Sequence, residues 1–98
     1  MSANVKMLEE FVAGPHTTII SMTRCPFCVK AKQLILPLAG PANVKVLEID
    51  TDPKAAAMQA GVEEKYGHDT VPAIFVKGEF VGGFSDVDAK VKAGQLKF

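Results

Sequence analysis

The sequence predicts one α/β domain built on a four-stranded mixed sheet with helices on both faces. Three observations predict it. The 98-residue chain is 48% hydrophobic, which supplies apolar surface for one packed core and too little length for two. Apolar runs at helical spacing alternate with short β-branched runs. That order makes strand–helix–strand units, whose strands are parallel and joined by a right-handed crossover. The last two strand-like runs lie only two residues apart, so they pair antiparallel and make the sheet mixed. The domain is read as residues 1–98, without repeat, low-complexity segment or linker.

The elements follow in order. Val5, Leu8 and Phe11-Val12 recur at helical spacing until Gly14-Pro15 stops them, predicting a helix over 3–12. Thr17-Thr18-Ile19-Ile20-Ser21-Met22 is short and β-branched, a buried strand. Val29, Leu34, Ile35 and Leu36 mark a second helix that begins at Cys25. Pro37 clashes with the carbonyl four residues back, so this helix is expected to end or kink near Leu36. Val44 to Ile49 alternates as a strand. Thr51-Asp52-Pro53 then caps a third helix over 53–65, closed by Gly67. Ala73–Val76 and Glu79–Val81 flank Lys77-Gly78 as a hairpin. Ser85 with Asp88 resembles a capping box and predicts a last helix over 86–95.

Charge and composition exclude several functions. Lys and Arg total 11, as do Asp and Glu, so no single-sign field is available to grip nucleic acid or anionic lipid. No apolar run approaches membrane-spanning length. The stretch from Met1 to Lys6 lacks a basic region followed by an apolar one, so no signal peptide is read there. The expectation is a cytoplasmic protein with reduced thiols.

Only two cysteines are present, Cys25 and Cys28. A bridge between them closes almost no loop and adds little stability, so the pair invites a chemical reading. A C-x-x-C at a strand–helix turn is a redox arrangement. Cys25 stands where unpaired N–H groups and the helix dipole favour a thiolate nucleophile, with Arg24 and Lys30 adding positive charge. Cys28, one turn deeper, is the resolving thiol. The bland alternatives are half of a zinc site and two inert buried thiols. Zinc lacks a second pair of ligands, since His16 and His68 are the only other soft donors and have no paired spacing. No metal is expected to be required.

Cys25-Pro26-Phe27-Cys28, then Thr70-Val71-Pro72, then Gly82-Gly83-Phe84-Ser85-Asp86 resemble the dithiol (class I) glutaredoxins over roughly the whole chain. The resemblance implies a thioredoxin fold and a cis Pro72 facing Cys25. It implies that the Val71 backbone pairs with glutathione like an added strand. Ser85 and Asp86 match positions that hold the γ-glutamyl end, where a helix N-terminus suits a carboxylate and Asp86 suits an ammonium. Gln59 matches a position contacting the glycyl carboxylate, although a solvated surface Gln is the plain reading. Arg24, Phe27 and Thr70 complete the implied glutathione site.

Two departures stand out. Met22 occupies a place where relatives commonly carry Lys or Arg, and Arg24 is left to replace that cation in part. Phe84 stands where many relatives have a third cysteine. The resemblance implies a thiol–disulfide oxidoreductase acting on glutathionylated and disulfide-containing proteins and on low-molecular-weight thiols, a monomer active in cell redox homeostasis. Its co-substrate is glutathione or a glutathione-type thiol such as trypanothione. Electrons come from an external thiol pool, since no Gly-rich dinucleotide fingerprint occurs. A thioredoxin-like reductase is disfavoured by Phe27 and the absence of Trp. The alternative is a binding module, a [2Fe–2S] cluster held between two copies through Cys25 and glutathione.

Overall fold

A strand with five consecutive buried residues must be covered on both faces, and β1 (Thr17–Ser21) is such a strand. In the computed structural model, which describes residues 2–98, it lies centrally in a sheet of order β2-β1-β3-β4. Met1, the first residue of the stretch read for a signal peptide, lies outside the described residues. The remaining elements are α1 (Ala3–Val12), α2 (Pro26–Ala39), a 3₁₀ turn (Pro41–Asn43), β2 (Val44–Glu48), α3 (Pro53–Tyr66), β3 (Ala73–Val76), β4 (Glu79–Gly82) and α4 (Phe84–Lys92). β1 pairs parallel with β2 through the α2 crossover and antiparallel with β3. The β3–β4 hairpin turns at Lys77-Gly78, both at positive φ as a two-residue primed turn demands.

Alternation along β1 divides the core. Ile20 joins Leu8, Val12, Met58, Val62, Ala73 and Phe75 under α1 and α3. Ile19 joins Ala31, Ile35, Ile74, Val76 and Val87 under α2 and α4. Each such aliphatic or aromatic side chain contributes about 1.5–3 kcal/mol by leaving water. The mixed sheet with helices on both faces is thus as the sequence predicts.

Three boundaries differ from expectation by more than one residue. α2 does not end at Leu36: it continues through Pro37 to Ala39, where the Gly40 N–H still reaches the Leu36 carbonyl. Proline forfeits its own hydrogen bond and crowds the carbonyl four residues back, but Ile35 nearby is fully buried, and packing carries the helix past it. α4 begins at Phe84, not 86, and ends at Lys92, not 95. Its N-cap is Gly83 rather than Ser85, and the side chain that closes the first turn is Asp86, which accepts the Gly83 N–H at 3.0 Å. Asp88 instead pairs with Lys92 one turn on, at 2.9 Å.

Candidate active site

The C-terminal end of β1 delivers the chain straight into α2, and Cys25 is the N-cap of that helix with Pro26 in its first turn. Its Sγ accepts the Cys28 N–H at 3.2 Å. The sulfur therefore receives one of the unpaired first-turn donors, the interaction that favours a thiolate. The loop before it is tied down. The Thr23 N–H donates to Asp50 Oδ1 at 3.2 Å and the Thr23 hydroxyl donates to Asp50 Oδ2. Those bonds, with Arg24 nearby, hold the Asp50 carboxyl below its ordinary range. Asp50 thus shares the charge of Arg24, the cation expected to replace the one missing at Met22.

Cys28 faces inward from the first turn of α2 and is fully buried, whereas Cys25 is half-buried. Burial pushes the Cys28 thiol up to about 11, and its hydrogen bond with Cys25 adds to the rise. The Met22 backbone and the Ser21 hydroxyl act in the opposite direction. A half-buried and an occluded thiol three residues apart can attack and resolve in turn.

Across the cleft, the Val71–Pro72 bond is cis. The Val71 carbonyl lies 3.7 Å from Cys25 Sγ and accepts its S–H. This segment is braced from behind. His68 Nε2 donates to the Pro72 carbonyl at 3.2 Å, and the His68 ring stands edge-on to Phe80. A carbonyl only accepts, so that ring nitrogen carries a hydrogen. His16 Nε2 is likewise engaged with the Phe11 carbonyl at 3.1 Å. Neither histidine joins a metal cluster among the described residues.

Gln59 Nε2 donates to the Thr70 carbonyl at 3.1 Å and the His68 carbonyl at 3.5 Å. The donor expected to meet a glycyl carboxylate is therefore committed to the loop before Pro72. Its other end, Oε1, is buried without a partner and is an acceptor, the wrong polarity for a carboxylate. Gln59 is thus a half-buried strut of the loop before Pro72 rather than the solvated surface amide of the plain reading.

The third wall is the start of α4. Ser85 and Asp86 are exposed in its first turn, where backbone N–H groups lack helical partners. Gly82 sits at φ 131°, and a Cβ there would lie 2.3 Å from Asp86 Oδ2. Only glycine lets the Asp86 carboxylate fold back over the turn. A β-bulge, two residues of β4 opposite one step of β3 between Ile74 and Phe75, sets this approach. Phe27, 57% exposed, stacks with Phe84 at 6.3 Å between centroids, and Lys30 Nζ lies 5.2 Å over the Phe27 ring. Phe84 is therefore an apolar wall beside the cysteines, a role its spacing alone did not signal. Asp50 was outside the sequence reading and His68 was weighed there only as a zinc donor, because their roles arise from loops brought together only by the sheet.

A family model described as Glutaredoxin matches residues 17–81. A chloroplastic glutaredoxin C4 of Oryza sativa subsp. japonica is 36% identical over 88 residues, covering 90% of this chain and 65% of that protein. A glutaredoxin of Ricinus communis is 35% identical over 90% of this chain and 84% of its own length. Among solved structures, a buckwheat glutaredoxin–glutathione complex superposes with a TM-score of 0.81 at 28% identity, over 98% of this chain and 89% of the other. The mixed sheet and four helices are a thioredoxin-like glutaredoxin fold.

Proposed function

The chain belongs to the glutaredoxin family of glutathione-dependent thiol–disulfide oxidoreductases, and on that premise we propose that it reduces protein–glutathione mixed disulfides, and low-molecular-weight or protein disulfides, through Cys25 with Cys28 resolving. One observation carries this reading: Cys25 caps α2 in reach of solvent while Cys28 is occluded beneath it. The Cys25 thiolate attacks the glutathionyl sulfur of a mixed disulfide. The Cys25–glutathione bond forms, and the protein thiolate leaves and takes a proton from solvent. A second glutathione thiolate then attacks the glutathionyl sulfur, giving glutathione disulfide and the Cys25 thiolate, or Cys28 attacks Cys25, giving the Cys25–Cys28 disulfide and free glutathione.

Glutathione is placed by the same walls. The Val71 backbone offers an edge for strand-like pairing. The first turn of α4 at Ser85 offers N–H groups to the γ-glutamyl carboxylate, and Asp86 offers its charge to the ammonium. Thr70 and Pro72 hold Val71 in place, Phe27 with Phe84 floors the cleft, and Arg24 adds what charge Asp50 leaves it. Co-substrate, partners and setting follow as part of this proposal: glutathione or a glutathione-type thiol, glutathionylated proteins, a monomer, and a cytoplasm kept reduced.

The test is turnover of a glutathionylated peptide with glutathione as reductant. Cys28→Ser is expected to retain activity within about threefold of wild type, since an external thiol resolves the intermediate. Cys25→Ser is expected to abolish it. Loss of nearly all turnover in Cys28→Ser would sink the monothiol route.

A further inference from the structure

The start of α2 beside Cys25 keeps an aromatic ring in water. Phe27 is 57% exposed, the highest value among the exposed large hydrophobic side chains, and Pro26 and Val29 on the same turn are exposed with it. Such a ring forgoes the stabilisation that burial supplies. It is held in place all the same. Phe84, half-buried and packed against the core under α2 and α4, stacks with it at 6.3 Å and 30°. Lys30, three residues on and so on the same side of the helix, sets its Nζ 5.2 Å over the ring. Lys30 makes no ion pair among the described residues, whereas Lys32 of the same helix is taken by Glu48. α2 itself carries no acidic residue. On α4, which packs against it, Asp86 is folded back on the Gly83 N–H and Asp88 pairs with Lys92. The exposed Arg24 and the positive end of the helix add to the charge of Lys30. Apolar surface under an unanswered cation is thus exposed next to the attacking sulfur.

We infer that Phe27 and Lys30 form a docking surface for the protein half of the mixed disulfide, fitted to a segment that carries a carboxylate and an apolar side chain beside its glutathionylated cysteine. The inference rests on the reaction proposed above and extends it to the leaving group. In that reaction glutathione lies along Val71 and ends at Ser85 and Asp86. Displacement at sulfur is in line, so the leaving protein sulfur stands on the side of the glutathionyl sulfur away from Cys25. The protein half therefore approaches from outside the cleft and meets the exposed surface that borders Cys25. An apolar side chain covers the Phe27 ring and releases water from both. A carboxylate pairs with Lys30, whose ammonium the ring already holds in position, so less freedom is lost when the pair forms. Charge complementarity selects an acidic segment over a second copy of this chain. Two copies meeting on this face would set Lys30 and Arg24 of one against the same cations of the other.

Glutathionylated peptides that differ at one residue test it. One pair carries glutamate or glutamine near the cysteine, placed before it or after it, and a second pair carries leucine or serine. The readout is the ratio of kcat/KM within a pair. Both members meet the same Cys25 thiolate, so any effect of Lys30 on that thiol cancels. Wild type is expected to prefer glutamate about threefold at low salt in at least one placement, the preference fading as salt is raised. Lys30→Gln is expected to abolish this preference and Lys30→Glu to reverse it. Leucine is expected to be preferred about threefold, and Phe27→Ala to remove that preference. The inference is overturned if wild type ignores the glutamate in both placements, or if either preference survives its variant. It is also overturned if Lys30→Gln slows the mixed disulfide of glutathione and free cysteine by the same factor as the glutamate peptide, which would assign Lys30 to a carboxylate of glutathione itself. Should no glutathionylated substrate turn over, the proposed function fails. The inference is then decided by titrating the wild-type protein with unmodified peptides that carry serine for cysteine. The Phe27 and Lys30 NMR signals are expected to move further with glutamate than with glutamine, and equal movement overturns it.

Discussion

Asp86 does two jobs with one carboxylate. Its Oδ2 closes the first turn of α4 on the Gly83 N–H, and the charge it carries faces the cleft beside Ser85. The two jobs separate in Asp86→Asn, because the amide oxygen still accepts from Gly83 while the charge is gone. KM for a glutathionylated peptide is expected to rise about fivefold to tenfold, with kcat and melting temperature nearly unchanged, since a charge-assisted hydrogen bond is worth about 1–1.5 kcal/mol more than a neutral one. Steady-state kinetics against an unmodified disulfide supplies the control. An unchanged KM would reduce Asp86 to a cap. Gln59 makes the converse case, a residue whose amide could have served a ligand but whose donors are taken by the Thr70 and His68 carbonyls. Sequence position located both residues. It could not say that one would stay open to solvent and the other would turn inward, because that choice depends on carbonyls eleven and nine residues away.

The α1–α3 pair packs backbone against backbone at Gly61. A Cβ there would lie 2.7 Å from the Asn4 carbonyl oxygen, and the obstruction is main chain, which no rotamer change relieves. Gly61→Ala is expected to destabilise the fold by about 1–3 kcal/mol, even though alanine is the better helix former. Urea denaturation measures this, and a stabilised variant would show that the two helices can slide apart at no cost. The lengths of α1 and α3 were legible because apolar spacing agrees with the Gly14-Pro15 stop of the first and with the Pro53 start and Gly67 close of the second. The start of α4 was misread because Ser85 with Asp88 imitates a capping box, while the true N-cap is a glycine that carries no side-chain signal. α2 was expected to stop near Leu36 because proline is a local breaker. Burial of Ile35 and the Gly40-to-Leu36 hydrogen bond are tertiary and terminal effects that local sequence does not reveal. The two-cysteine site was the most legible part, since its residues are adjacent in the chain. The bonds that Ser21 and Lys32 make to Glu48 were hidden, because they require the β1–β2 register.

At the scale of the whole molecule, folding places Cys28 where its thiol is held up to about 11, against an ordinary value of 9.0, chiefly by burial. The sign follows from proton counting. Between these values the unfolded chain has released the Cys28 proton and the folded chain has kept it, so the folded state binds more protons and stability falls as pH rises. The thiol therefore contributes nothing adverse below about pH 9, and the loss accumulates to about 2–3 kcal/mol by pH 11. Asp50 acts at the other end. Its lowered value means that its contribution is present above the ordinary carboxylate range and is lost as pH falls. The alkaline limb is the cleaner test, because Cys28→Ser removes one titrating group and leaves the lysines and Tyr66 to cancel in the difference. Urea midpoints of the reduced proteins are expected to run parallel up to about pH 8.5, after which wild type falls faster. Parallel curves through pH 11 would mean that the folded Cys28 sulfur is no worse solvated than in the unfolded chain. The occlusion that separates an attacking from a resolving thiol would then be absent, and the asymmetry on which the proposed reaction depends would fail with it.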